Sequence, residues 1–166
     1  MTQTATFYIL AIKDLELLQK AGDAGSTIKK AIRNLLKTKA DSLTSDLADY
    51  AIETIKYRWS GAAYTVLAVF GKEKLEVDLN NLEYSKLANE LSEKNEVGVY
   101  IFSSNDDLLK LKPNGFYYSI EELDEFAVEL KGSKPANPAV MKDAVKILDN
   151  ALSKLSDETV VLLLIR

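Results

Sequence analysis

The side chains available for chemistry in this chain are carboxylates, lysines, tyrosines and serines, because its 166 residues contain no histidine and no cysteine. Histidine is the usual general base near neutral pH. Histidine and cysteine are also the usual ligands of zinc, copper and iron. Without them, Ser-His-Asp and Cys-His triads, zinc hydrolysis, iron–sulfur clusters, histidine-ligated haem and thiol redox chemistry cannot be assembled from this chain alone. No catalytic residue, metal or cofactor is therefore expected.

Four features could still support binding or acid/base work. Acidic clusters stand at Asp106-Asp107 and at Glu121, Glu122, Asp124 and Glu125. Paired carboxylates serve glycoside hydrolysis and clustered oxygens can hold Mg²⁺ or Ca²⁺. There is no EF-hand pattern, however, and Glu121 and Glu122 open a helix, where negative charge favours the dipole. Lys29, Lys30, Arg33 and Lys37 form a basic helix face that suits phosphates or an acidic protein, or is simply solvated. That helix lacks aromatics to stack on bases. Gly22-Asp23-Ala24-Gly25-Ser26-Thr27 leads into it without Walker A spacing, and reads as a capped connection rather than a phosphate site. Trp59, flanked by Tyr57, Arg58 and Tyr64, is either a binding anchor or a core residue with its indole N–H satisfied. Tyr117-Tyr118 read as strand packing. The candidate binding residues are therefore Lys29, Lys30, Arg33, Lys37, Tyr57, Trp59, Asp106 and Asp107.

The elements that position these residues fit one domain, since a domain takes roughly 100–200 residues. Hydrophobic residues make up 47% and charged residues 28%, an ordinary globular balance. The opening Met1–Ala5 lacks the basic and apolar regions of a signal peptide. No apolar run reaches the ~18 residues of a membrane span. A cytoplasmic, non-membrane protein is expected. The net charge of −4 is polarised: residues 1–40 carry seven basic and three acidic side chains, leaving −8 on the remainder. Overall acidity argues against broad nucleic-acid binding.

Ala5–Ile12 predicts a strand apolar on both faces, and Asp14–Ala21 a short helix with Leu15 and Leu18 inward. A helix follows from Ser26 or Thr27 to about Lys39. Leu47, Tyr50, Ala51, Ile55 and Trp59 fit the helical period from Asp46 onward. Gly61–Phe70 fits a strand by propensity, with a Gly71–Lys74 loop and alternating Leu75, Val77 and Leu79 completing a hairpin. It equally fits a continued, buried helix. Leu82–Lys94 predicts a helix, Val97–Phe102 a strand, Asp106–Leu111 one or two helical turns, and Phe116–Tyr118 a short strand. Ser119 and Glu122 have capping-box spacing for a helix that stops at Gly132. Ser133–Ala136 is a loop. Asn137 and Pro138 start the last helix, with Val140, Met141, Ala144, Val145, Leu148, Leu152 and Leu155 inward. Thr159–Ile165 is an almost unbroken apolar strand. The expected fold is a single α+β domain: a mixed sheet with the N- and C-terminal strands central, packed by amphipathic helices.

Three stretches resemble the YfbM-like family of small bacterial proteins of unknown function: Phe7-Tyr8-Ile9-Leu10 through Asp14–Leu18, Lys56-Tyr57-Arg58-Trp59, and Tyr118-Ser119-Ile120-Glu121-Glu122-Leu123 with Ala127 and Leu130. The chain departs from that family at Ala63, where the family tends to have His, and at Ile120, where it tends to have Pro. The resemblance implies an α+β fold and a helix around Trp59–Leu67, and supplies no activity.

These readings favour a non-enzymatic protein-binding module, such as a bacterial or phage immunity or inhibitor protein that plugs a toxin or enzyme. Polarised charge suits steered association with a protein. The alternatives are a carboxylate-, Lys- or Tyr-based hydrolase acting on a nucleotide or sugar, and nucleic-acid binding through the basic helix.

Overall fold

Six consecutive aliphatic residues, Val160–Ile165, are stable as a strand only where both faces of the sheet are covered. The fold satisfies that requirement with helices on both sides. The computed structural model describes residues 3–20, 39–113, 117–132 and 137–166. Its elements run β1 (Ala5–Ala11), α1 (Ile12–Lys20), α2 (Lys39–Tyr50), β2 (Glu53–Tyr57), α3 (Ala62–Lys74) and α4 (Ser85–Asn95). Then come β3 (Gly98–Phe102), a 3-10 turn (Leu109–Leu111), α5 (Ile120–Lys131), α6 (Ala139–Leu152) and β4 (Thr159–Ile165). The helix expected from Ser26 or Thr27 to about Lys39 lies outside the described residues except for Lys39, which opens α2; its whole basic face and the loop Ser133–Ala136 also lie outside them.

The strands form one sheet in the order β2-β1-β4-β3, so the first and last strands are central, as the sequence predicts. The sheet is entirely antiparallel, which corrects the expected mixed sheet. Between β3 and β4 the chain passes through two helices, α5 and α6. It therefore re-enters the sheet at the end it left, whereas the single-helix crossover that makes a parallel pair delivers it to the opposite end. The β1–β4 register runs from Ala5 opposite Ile165 to Ala11 opposite Thr159. Side chains alternate across this pair. Phe7, Ile9, Val161, Leu163 and Phe102 meet α3, α5 and α6 on one face. Tyr8, Leu10, Leu162, Leu164 and Ile101 meet α1, α2 and α4 on the other. The result is a three-layer α/β/α sandwich within the α+β class.

Residues 53–57 are a strand, not the continuation of the helix expected from Asp46 to Trp59. The helical spacing is real only through Ala51, where α2 has ended. Beyond it, Ile55 and Tyr57 face inward while Thr54 and Lys56 are exposed, an alternation of period 2. Residues 61–70 resolve as helix α3, whose Ala63, Tyr64, Val66, Leu67, Phe70 and Gly71 are buried. This is the alternative that the YfbM-like resemblance favours. The expected loop Gly71–Lys74 is the last turn of α3. Leu75, Val77 and Leu79 are all buried, but not in a strand: Leu75 is still in the helical region, Glu76 turns the chain through the left-handed region at φ 59°, and Leu79 lies in a turn. Tyr117 and Tyr118 also lie outside any strand. Tyr118 packs instead on Phe70, with ring centroids 5.3 Å apart.

The last two helices follow the sequence closely. The Ser119 Oγ accepts from the Glu122 N–H at 3.1 Å, and the Glu122 carboxylate accepts from the Ser119 N–H at 2.6 Å. Gly132 ends α5 in the left-handed region at φ 68°. Asn137 Oδ1 accepts from the Ala139 N–H at 2.9 Å, which caps α6.

Candidate functional site

The helix that follows the capping box places Glu122, Glu125 and Glu129 at i, i+3 and i+7, on one stripe of α5. That stripe borders a solvent-open cleft of roughly 350 Å³ between α3 and α5. Its floor is aromatic. Phe126 packs edge-on against Phe70, with centroids 5.2 Å apart, and Phe70 packs against Tyr118 in the same way. Tyr117 stands in the wall with 44% of its surface exposed. Lys74, at the end of α3, brings its Nζ to 5.9 Å from the Phe126 ring centroid. The cleft thus combines aromatic faces with three carboxylates and one ammonium. Tyr118 itself is a structural donor. Its hydroxyl gives a hydrogen bond to the Leu111 carbonyl at 2.7 Å, and burial pushes its pKa up to about 12. Asp124, the remaining acid of the sequence cluster besides Glu121, does not line the cleft; burial first and then the charge of Glu121 raise its pKa.

The sequence candidates Tyr57 and Trp59 fall at the opposite end of the same helical layer, where β2 meets α6. Asp143 on α6 gathers Arg58 and Trp59 there. One carboxylate oxygen accepts from Arg58 Nη2 at 2.5 Å, from Arg58 Nε at 3.2 Å and from Trp59 Nε1 at 2.9 Å. The guanidinium carbon lies 4.9 Å from the Trp59 ring centroid, a cation–π contact. The Trp59 and Arg58 hydrogen bonds hold the Asp143 carboxyl below the usual range. Tyr57 donates to the Val140 carbonyl at 2.6 Å and Tyr64 to that of Ala144 at 3.1 Å. Burial pushes both phenols well above their ordinary pKa, so they remain protonated donors. This cluster clamps β2 and α3 onto α6, and Trp59 is partly buried within it, which matches the core reading of that residue.

Asp106 and Asp107 follow β3 at the other edge of the sheet, and they diverge. Asp106 is committed to the backbone: it accepts from the N–H groups of Ser103 and Glu83, both at 2.8 Å. The buried Ser103 hydroxyl donates to Glu83, and Asn105 Nδ2 also reaches that carboxylate. Asp107 is exposed and lines a separate cleft with Leu109 and Lys112. Among the described residues, no group of three His, Cys, Asp or Glu side chains is placed to hold a metal ion. Lys29, Lys30, Arg33 and Lys37 lie outside the described residues. The eight candidates therefore do not form one site: Tyr57 and Trp59 sit at the β2 edge, Asp106 and Asp107 beyond β3.

The α3–α5 cleft is absent from the sequence candidates. Its rim was visible only as charge at a helix start. Its floor needs Phe70 on a helix, and the sequence leaves that segment undecided between helix and strand. No family model, curated protein or solved structure matches this chain. Among the described residues no helix is long and apolar enough to cross a membrane.

Proposed function

We propose that the chain is a non-enzymatic protein-binding module of the immunity or inhibitor kind, acting in the cytoplasm on a toxin or enzyme. The observation that carries this reading is the α3–α5 face. Protein interfaces place aromatic anchors in a pocket and surround them with a polar rim. The cleft has that anatomy, with Phe70, Tyr118 and Phe126 beneath and Glu122, Glu125 and Glu129 around them. Tyr117 in its wall is 44% exposed, and Leu130, on the same helix as the carboxylate rim, is 48% exposed. The excess of −8 outside residues 1–40 supplies the field that steers a partner of opposite charge. The YfbM-like resemblance, taken as kinship, would make this a small bacterial protein without adding an activity.

The test is capture from the native host at low salt on the immobilised full chain, with wild type and the Tyr117→Ala variant side by side. The expected result is one stoichiometric protein partner, weakened by that substitution. Absence of any stoichiometric protein overturns the reading, as does turnover of a substrate by the purified chain.

A further inference from the structure

We propose that the α3–α5 cleft receives an arginine side chain from a basic segment of the partner protein, and that Lys74 stands in for that cation in the free chain. The inference rests on the protein-binding reading above and names the chemistry of its partner. Three carboxylates face one ammonium across the cleft, so the lining carries a net charge of −2. Lys74 already shows what the floor attracts. Its Nζ sits at 5.9 Å from the Phe126 centroid, near the outer reach of a cation–π contact, which is about 6 Å. It is also largely exposed, at the solvent-facing end of α3. A planar guanidinium fits this lining better than an ammonium does. It can lie on an aromatic face and at the same time give paired hydrogen bonds to a carboxylate. Glu125 and Glu129 are the acceptors for it, because Glu122 is already engaged by the Ser119 backbone. The cleft volume of roughly 350 Å³ lies at the small end of ligand sites, which run from about 300 Å³. It suits one side chain, and exposed Tyr117 beside it gives the rest of the segment an apolar contact.

The experiment titrates the full-length chain with a short amidated peptide containing one arginine, and with the same peptide containing citrulline. Citrulline keeps the shape and removes the charge. Binding is read by calorimetry and by amide chemical-shift changes. The arginine peptide should bind with shifts centred on Tyr117, Glu125 and Phe126. The citrulline peptide should bind at least roughly tenfold more weakly, the worth of one charge-assisted hydrogen bond. Lys74→Ala should tighten binding by about fivefold, the effect of removing a like charge at short range in water. Glu125→Gln with Glu129→Gln should abolish it. All three positions are exposed, so the variants should fold, and circular dichroism checks that they do. Equal binding of citrulline, shifts centred elsewhere, or weaker binding by Lys74→Ala overturns the inference. If a stoichiometric host protein is captured while the arginine peptide fails to bind, this inference falls alone. If neither binds, the protein-binding reading falls with it.

Discussion

At Asp143 a single carboxylate oxygen serves three donors on two side chains, and its titration should be visible in the stability of the whole protein. The Trp59 and Arg58 hydrogen bonds hold its pKa below the ordinary 3.8. A carboxyl whose pKa is lower folded than unfolded stabilises the fold fully above the unfolded value. That contribution is lost as pH falls through the folded value. Asp143→Asn should therefore flatten the acid limb of the stability profile below about pH 4 and change its shape little between pH 6 and 8, as followed by denaturant unfolding at each pH. An acid limb identical to wild type would mean that Asp143 is not held by its partners. Sequence could suggest that Trp59 needs a hydrogen-bond partner, but not that Asp143, 84 residues away, supplies it. Such a partner is fixed by how β2 and α6 pack, and no local pattern encodes it. Asp106 carries the same lesson in reverse. It looked available beside Asp107, and it is consumed by two backbone N–H groups.

At the scale of elements, the strongly local signals were the readable ones. The capping box at Ser119, the stop at Gly132 and the long apolar stripe of α6 each rest on neighbours within a turn or two, and each stands where the sequence puts it. Two of the ambiguous or mistaken stretches, 46–59 and 61–70, are ones whose state depends on what covers them. Tyr64, Val66 and Val69 favour a strand by propensity, yet one face of α3, with Ala63, Tyr64, Val66, Leu67 and Phe70, is buried in the core it shares with the sheet, α5 and α6, and packing overrides propensity there. The α3–α5 cleft stayed hidden for the same reason. Gly61 shows how closely α3 must approach the sheet. A Cβ there would lie 2.7 Å from the Thr4 carbonyl oxygen, which is backbone and cannot step aside. The Gly61 N–H also donates to the Gln3 carbonyl at 2.9 Å. Its φ of −57° is one any residue adopts, so the obstacle is steric alone. Gly61→Ala should destabilise the protein by about 1–3 kcal/mol, the usual cost of overpacking, read as a lower denaturation midpoint at unchanged m-value. An unchanged midpoint would show that α3 can shift outward freely.

At the scale of the molecule, the sheet sits between two helical layers, and consecutive residues of β4 belong to different cores. Leu162 faces α1, α2 and α4; Leu163 faces α3, α5 and α6; both are almost fully buried. Leu162→Ala and Leu163→Ala should each cost about 2–5 kcal/mol, the range for a buried leucine. In a two-layer fold one of the pair would be nearly silent. Equal losses of thermal stability would support coverage of both faces, and a silent Leu162→Ala would place α1, α2 and α4 elsewhere. The apolar run of β4 announced this central position, whereas the antiparallel order depends on how many helices intervene between strands. The β1–β4 pair also has a mechanical consequence. Thr4 and Arg166 exchange backbone hydrogen bonds at 2.7 and 3.1 Å, so the two strands are held side by side at the same end. Tension applied at residues 4 and 166 pulls that end apart like a zipper and loads the bonds one after another. Tension applied at residues 4 and 158 drags the same strands past each other and loads them together. Single-molecule stretching between cysteine handles should thus find the first attachment yielding at a markedly lower force than the second, a direction-dependent toughness set by where two strands begin and end.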